Sequence, residues 1–391
     1  MIKQYYKQAL AQLRQHPLIS IIGIVGTALS IFLIMLVVMM QQVKVAPFSP
    51  ESNRNRFLHV HYMSISHKDW GNGTSNGPMS VQTAREVYKS LKTPEAVTVY
   101  CCMTVSTPVS LPGAPAIGAD VRETDDTFFH VFDFQFTDGK PYDEATFTAG
   151  RPVAVITESI SRALFGSIQS VGKEFLLSHA PYRVVGVVKD VSTLADMAYG
   201  QVWIPFTSTN LSNDTWSDNH MGMMSVTLLA HDREDFDEIR AEAKRRMNEY
   251  NSILADQGYT LIDRNRPYDQ ETQSISFAAN LEPDLKAARR ERVIIFIILL
   301  LVPAINLSSM TQSRLRQRVA EIGVRRAFGS TRIEMVGQIV MENLVITLLA
   351  GAIGLLISIL FAYWGTDILF AQPYSVTLNA PTVDSLSLIH I

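Results

Sequence analysis

The sequence predicts an α-helical membrane protein with a large extracytoplasmic α+β domain inserted between transmembrane helices 1 and 2. Three observations predict it. Leu18 to Met40 carries no charged residue, and at a helical rise of about 1.5 Å per residue it is long enough to cross a hydrocarbon core of about 30 Å. Two further apolar blocks, Val293 to about Thr311 and Leu344 to Trp364, lie close together late in the chain. The long stretch before them, about Val45 to Leu285, has the short apolar runs, charged helical segments and Gly/Pro turns of a water-soluble domain.

The apolar share of 47% over 391 residues conceals this division. The first block (18–40) reads as an uncleaved anchor, because Lys44 stands where a signal-peptide cleavage site needs a small residue. The second (293–311) is interrupted by Pro303, Asn306, Ser308 and Ser309. These are expected to face other helices, which satisfy the carbonyl freed by proline and hydrogen-bond Ser and Asn. The third (344–364) contains Ala350, Gly351, Ala352 and Gly354, a face that lets a neighbouring helix come close.

Orientation follows from the basic flanks. Lys3, Lys7 and Arg14 precede the first helix, and Arg314, Arg316, Arg318, Arg325, Arg326 and Arg332 crowd the connection between the second and third. The N-terminal segment 1–17 and the connection 312–338 are therefore cytoplasmic, while 45–285 and 365–391 lie outside. Lys286, Arg289, Arg290 and Arg292 argue the other way but are outweighed.

Within the insert the strand candidates are Phe57 to Ile65, Val97 to Val105, Val153 to Thr157, Tyr182 to Val188, Val202 to Pro205 and Val226 to Ala230. The helix candidates are Thr83 to Leu91, Thr124 to Phe132, Glu158 to Leu164 and Phe236 to Ala255, the last with Phe236, Ile239, Ala243, Met247 and Tyr250 near one face. His67 to Pro78, with Gly71, Gly73 and Gly77, reads as a polar loop.

Several chemistries are excluded or set aside. The net charge of -3 and the lack of a basic run argue against a nucleic-acid partner. No Gly-Lys-Ser/Thr ending is present, so the chain has no Walker-type ATP site. No catalytic residue and no cofactor are assigned. His59 and His61 share a strand face and His67 and Asp69 follow, a spacing that would suit zinc; surface histidines are the simpler reading, and no metal site is expected. The two cysteines, Cys101 and Cys102, read as small core or half-buried residues, with a vicinal or intermolecular disulfide as the alternative on the oxidising side.

The connection is the most informative stretch. Gln317 to Phe328 favours helix, Gly329 suits a left-handed helix end, and Thr331 to Glu334 forms a capping-box pattern that starts another helix. A basic corner at the membrane surface results, which can meet lipid headgroups or dock a soluble partner. Glu342, one turn before the third block, is a carboxylate at the membrane interface that can pair Arg325 or Arg326.

Arg318-Val-Ala-Glu321-Ile322-Gly323-Val-Arg325-Arg326-Ala-Phe328-Gly329-Ser330, with Gln338 and Glu342 after it and Asn306-Leu307-Ser308 before it, resembles the cytoplasmic signature of the MacB-like and FtsX-like permease family of ABC transporters. In the insert, Phe128-Phe129-His-Val-Phe132, Pro152 to Ser159, Leu164-Phe165-Gly166, Val171-Gly172-Lys173 and Val184 to Val191 resemble a MacB-type periplasmic core domain. The resemblance implies a non-catalytic permease subunit in a bacterial inner membrane, paired with a second permease subunit. It implies a separate cytoplasmic ABC ATPase that binds the ATP and docks at Glu321, Ile322, Gly323, Arg325, Arg326, Phe328, Gly329 and Glu342. Closure of the ATPases would then move the periplasmic domain, for export or for mechanical regulation, with a periplasmic adaptor, lipoprotein or cell-wall hydrolase as possible partner. A membrane-anchored sensor or scaffold without ATP coupling is the competing class. The family also has a fourth transmembrane helix, which does not appear here. Leu386 to Ile391 matches the translated end of a transposon-based sequencing adapter, so truncation is expected.

Overall fold

The computed structural model describes residues 17–364. It divides into a helical unit, residues 17–42 with 286–364, and an α+β unit, Val43–Leu285. The expectations for 1–16 and 365–391, including the tail Leu386 to Ile391, lie outside the described residues. The helix α1, Pro17–Val45, runs past the apolar block by a further turn.

The α+β unit has fourteen strands: β1 Phe57–Val60, β2 Met63–His67, β3 Thr74–Gly77, β4 Ala96–Cys101, β5 Val105–Ser110, β6 Ile117–Thr124, β7 Phe136–Gly139, β8 Val153–Thr157, β9 Glu174–Leu177, β10 Ala180–Val188, β11 Val202–Pro205, β12 Met224–Leu229, β13 Tyr259–Ile262 and β14 Tyr268–Asp269. Because β11 pairs with β8 on one side and with β6 on the other, the run β11-β8-β10-β9-β5-β6 closes into a ring. Alternate residues of its strands point inward: Ala119 and Val121, Ala154 and Ile156, Phe175 and Leu177, Tyr182 and Val184, Val202 and Ile204 form one buried cluster. The helix α2, Glu158–Phe165, follows β8 and adds Ile160 to that cluster. Thr157 caps its start, and Gly166 ends it at φ +68.

From the ring the sheet continues antiparallel through β4, β12, β1 and β14. The helix α3, Phe236–Leu254, lies on it, with Phe236, Ile239, Ala243, Met247 and Tyr250 buried against Val60, Val97 and Val226. A separate sheet, β13-β2-β3, borders this core.

Four sequence expectations are corrected here. Phe57 to Ile65 is two strands in two sheets, since the chain leaves β1 at His61 and Tyr62 and enters β2 at Met63. Val97 to Val105 likewise breaks after Cys101, so that β4 and β5 are distinct. Thr124 to Phe132 is mostly not helical: Thr124 ends β6, and only Phe128–Val131 forms a helical turn. The polar stretch His67 to Pro78 is ordered by pairing, because Thr74–Gly77 bonds along β2 as an edge strand. Both cysteines are free thiols, Cys101 buried and Cys102 half-buried.

In the helical unit, α4 spans Leu285–Gln317 with Pro303 inside it, α5 Val319–Ala327 and α6 Arg332–Trp364. The helices α4 and α6 therefore extend beyond the apolar blocks into the polar connection, whose residues have helical propensity of their own. Contacts are made at small residues. A Cβ on Gly26 would come within 2.6 Å of the Asn306 amide, and one on Gly354 within 2.8 Å of the Ala28 carbonyl. Asn306 donates to Thr27 Oγ1 at 3.4 Å, as a polar group at a helix contact should. Ser308 and Ser309 are instead exposed, so neither is covered by another described helix of this chain. Among the described residues, three helices (α1, α4 and α6) are long and apolar enough to cross a membrane.

Candidate functional site

The connection between α4 and α6 folds as a rigid corner. Arg318 leaves helical geometry (φ −112, ψ 10) between α4 and α5. Gly329 takes φ +93, a conformation costly for any residue with a Cβ, and turns the chain after α5. Thr331 and Glu334 then cap α6 reciprocally: Glu334 N–H donates to Thr331 Oγ1 at 3.3 Å, and Thr331 N–H donates to Glu334 Oε2 at 3.0 Å.

A polar chain locks the two helices together. The Arg318 guanidinium reaches both oxygens of Glu342, at 3.2 and 3.3 Å, and Glu342 is 6% exposed. The Gln338 amide donates to Glu342 Oε1 at 3.0 Å and accepts from Arg325 Nη1 at 3.0 Å. The sequence pointed to Arg325 or Arg326 as the direct partner of Glu342; the structure places Arg318 there and brings Arg325 in only through Gln338. The sequence spacing could not reveal this, because Arg318, at the break between α4 and α5, is brought opposite α6 only by the turn of the chain. Arg318 and Gln338, which the sequence marks only as part of the signature, thus join the site. Ile322, Leu315, Met335 and Ile339 line a small space of about 30 Å³ together with Arg318 and Glu342.

Gly323, Arg326, Phe328 and Gly329 face outward. Phe328 is 88% exposed and Ile333, across the turn, 85%. Arg326 and Gly323 are exposed as well, and no atom lies within 4 Å of a Cβ built on Gly323. Glu321 lies on α5 by its backbone. The corner therefore exposes Phe328, Ile333 and Arg326, and the largely buried Arg318–Glu342 pair joins its two sides. Such an arrangement can bind another surface.

The histidines are not the surface residues expected. His59 is fully buried in β1. Tyr100 OH is 2.9 Å from Thr227 Oγ1, which is 3.2 Å from His59 Nδ1; His59 Nε2 is 2.9 Å from Gln270 Oε1, and the Gln270 amide donates to the Lys44 carbonyl at 2.7 Å. Since the Gln270 oxygen can only accept, Nε2 carries the proton and Nδ1 accepts. Burial, with His61 and Arg54 adding and the Gln270 bond opposing, pushes the His59 pKa down to about 3. His61 is also shifted down, chiefly by burial, and its Nε2 is buried without a partner. His67 sits apart, 3.5 Å from Asp69 and stacked near Trp70 and Tyr259. His59, His61 and His67 are not brought to a common point.

A bundle of apolar helices joined to a ring-containing α+β unit defines a membrane permease with a periplasmic-type domain. The MacB-like periplasmic core domain matches residues 18–246 and the FtsX-like permease C-terminal domain matches residues 293–390, and the chain belongs to this family of ABC transporter permeases. It is 22% identical over 244 residues to the ABC transporter permease YknZ of Bacillus subtilis, covering 61% of this chain and 55% of YknZ. It is 22% identical over 252 residues to the macrolide export ATP-binding/permease protein MacB of Escherichia coli K12, covering 63% of this chain and 36% of MacB. The chain thus spans about a third to about half of the length of these relatives. The periplasmic region of MacB from Actinobacillus actinomycetemcomitans aligns with 19% identity and a TM-score of 0.36, over 52% of this chain and 88% of that one. The extracellular domain of YknZ aligns with 14% identity and a TM-score of 0.37, over 51% and 99%.

Proposed function

We propose that this chain couples ATP hydrolysis by a separate cytoplasmic ABC ATPase to movement of its periplasmic domain, for export or for mechanical regulation, and that it acts as a non-catalytic subunit beside a second permease subunit in a bacterial inner membrane. The docking element is the corner formed by Glu321, Ile322, Gly323, Arg325, Arg326, Phe328 and Gly329, with Glu342 holding it from behind. The observation that carries this reading is the combination of exposed Phe328 with the buried Arg318–Glu342 pair at 3.2 Å. Force passes between proteins only through a contact that keeps its shape, and an exposed aromatic on a rigid support is a common interface anchor. The relatives named as ATP-binding/permease proteins support an ATPase as the partner.

The test is co-purification of the ATPase with variants of the full chain. Glu321→Lys, Phe328→Ala and Gly329→Trp should each weaken recovery of the ATPase, while membrane insertion and the melting of the outer unit stay as in the parent. Full recovery with all three variants would make the corner a lipid-facing surface.

A further inference from the structure

One end of the β-ring is plugged by α2; the other is open. A cavity of about 550 Å³ lies at the open mouth, within the range that holds small organic ligands. Its walls include the inward-facing Val121, Leu177 and Ile204, extended by Met103, Val105 and Leu211. Met103 and Val105 are 50% and 52% exposed, which is unusual for apolar side chains that converge on one space.

Into this apolar space the ring directs a carboxylate. Glu123 follows Ala119 and Val121 at the same two-residue spacing on β6, so it shares their inward face at the strand's end. It accepts a hydrogen bond from Thr209 Oγ1 at 2.5 Å. Asp214 lines the same cavity, and among the described residues no Lys, Arg or His does. Burial, opposed by the Thr209 bond, raises the Glu123 pKa to about 7. A half-buried carboxylate without a cation beside it is costly, and a bound cation would offset that cost. An anion would meet two carboxylates, and a neutral molecule would leave Glu123 uncompensated.

We propose that the mouth of the ring binds a single hydrophobic cation, an amine or quaternary ammonium with an apolar body, whose charge rests on Glu123. This assignment is independent of ATP coupling, because binding is measured without nucleotide.

The probes are benzyltriethylammonium and, as its anionic counterpart, benzylsulfonate, titrated against the full chain in zwitterionic nanodiscs with empty discs subtracted. At about pH 8 the cation should bind saturably and the sulfonate should not. Glu123→Gln should weaken the cation about tenfold, a loss of ~1.4 kcal/mol, with unchanged melting, and Glu123→Asp should keep the preference for the cation. Leu177→Trp should block binding by filling the cavity. Lowering the pH to about 5.5 should bring the parent towards Glu123→Gln as the carboxyl takes up a proton. The other titratable groups facing the cavity are Asp214, Cys101 and Tyr182, so Asp214→Asn should retain this pH response. Equal binding of cation and sulfonate, or undiminished binding in Glu123→Gln, would overturn the assignment.

Discussion

Arg54 and Glu51 form a fully enclosed ion pair, Nε to Oε2 at 2.6 Å, with the side chains 3% and 0% exposed. Both groups are hydrogen-bonded beyond the pair itself. The Arg54 guanidinium also donates to the carbonyls of Val43 at 2.7 Å, Ala46 at 3.0 Å and Leu194 at 2.9 Å, while Glu51 Oε1 accepts from the amides of Met197 at 2.9 Å and Ala198 at 3.0 Å. The pair therefore fixes the first residues of the α+β unit to the segment that precedes β11. Removing one partner strands a buried charge, so Arg54→Met and Glu51→Gln should each cost about 3–5 kcal/mol. Thermal unfolding of the chain should show this loss.

His59 gives a pH signature. Its folded pKa of about 3 lies below the ordinary value of 6.5, so the unfolded chain binds the extra proton between these values. Stability then rises with pH across that window; it is fully present above about pH 6.5 and is lost as the pH falls towards 3. The contribution is on the order of a few kcal/mol at most. His59→Gln, which keeps a polar amide next to Gln270, should flatten the dependence between pH 4 and 6.5 in denaturant titrations, whereas an unchanged slope would place the titration elsewhere.

Two glycines in one neighbourhood should behave differently. Gly139 has φ +69, and a Cβ there would lie 2.2 Å from the Val185 carbonyl oxygen, in backbone that cannot move without breaking the β7–β10 pairing. Gly172 has φ +85 with nothing within 4 Å. Gly172→Ala should cost only the conformational strain, about 1–2 kcal/mol; Gly139→Ala should cost clearly more. Paired denaturation curves compare them directly.

What the sequence made legible was local. The helix α3 could be read from Phe236, Ile239, Ala243, Met247 and Tyr250, because one period places all five on a single face, and all five are buried. The helix α2 was legible as Glu158 to Leu164, and the structure shows it capped by Thr157 and ended at Gly166. The two capped ends of the corner were readable for the same reason. Closure of the ring was not, since β11 meets β6 in parallel and β8 antiparallel across long stretches of chain, with no short turn to betray either pairing. The burial of His59 was hidden similarly: its partners Thr227 and Gln270 are 168 and 211 residues away. Glu123 and the cavity residues come from several strands and a loop, so no spacing could gather them.

In the helical unit, Gly354 and Gly351 offer a contrast of the same kind. A Cβ on Gly354 would press on the Ala28 carbonyl at 2.8 Å, while one on Gly351 would only touch Ile31 Cδ1 at 3.8 Å. Gly354→Leu should separate α6 from α1 and lower the melting temperature in detergent, and Gly351→Ala should leave it nearly unchanged.

The most direct measurement of the central claim is site-specific photo-crosslinking at position 328 of the full chain in living cells, with the aromatic replaced by a photoreactive phenylalanine. Phe328 is the most exposed large apolar residue of the corner. Docking predicts a single protein adduct with an ABC ATPase subunit, lost when Glu342→Ala removes the support that holds α5 against α6. Adducts with lipid alone, unaffected by Glu342→Ala, would contradict the account.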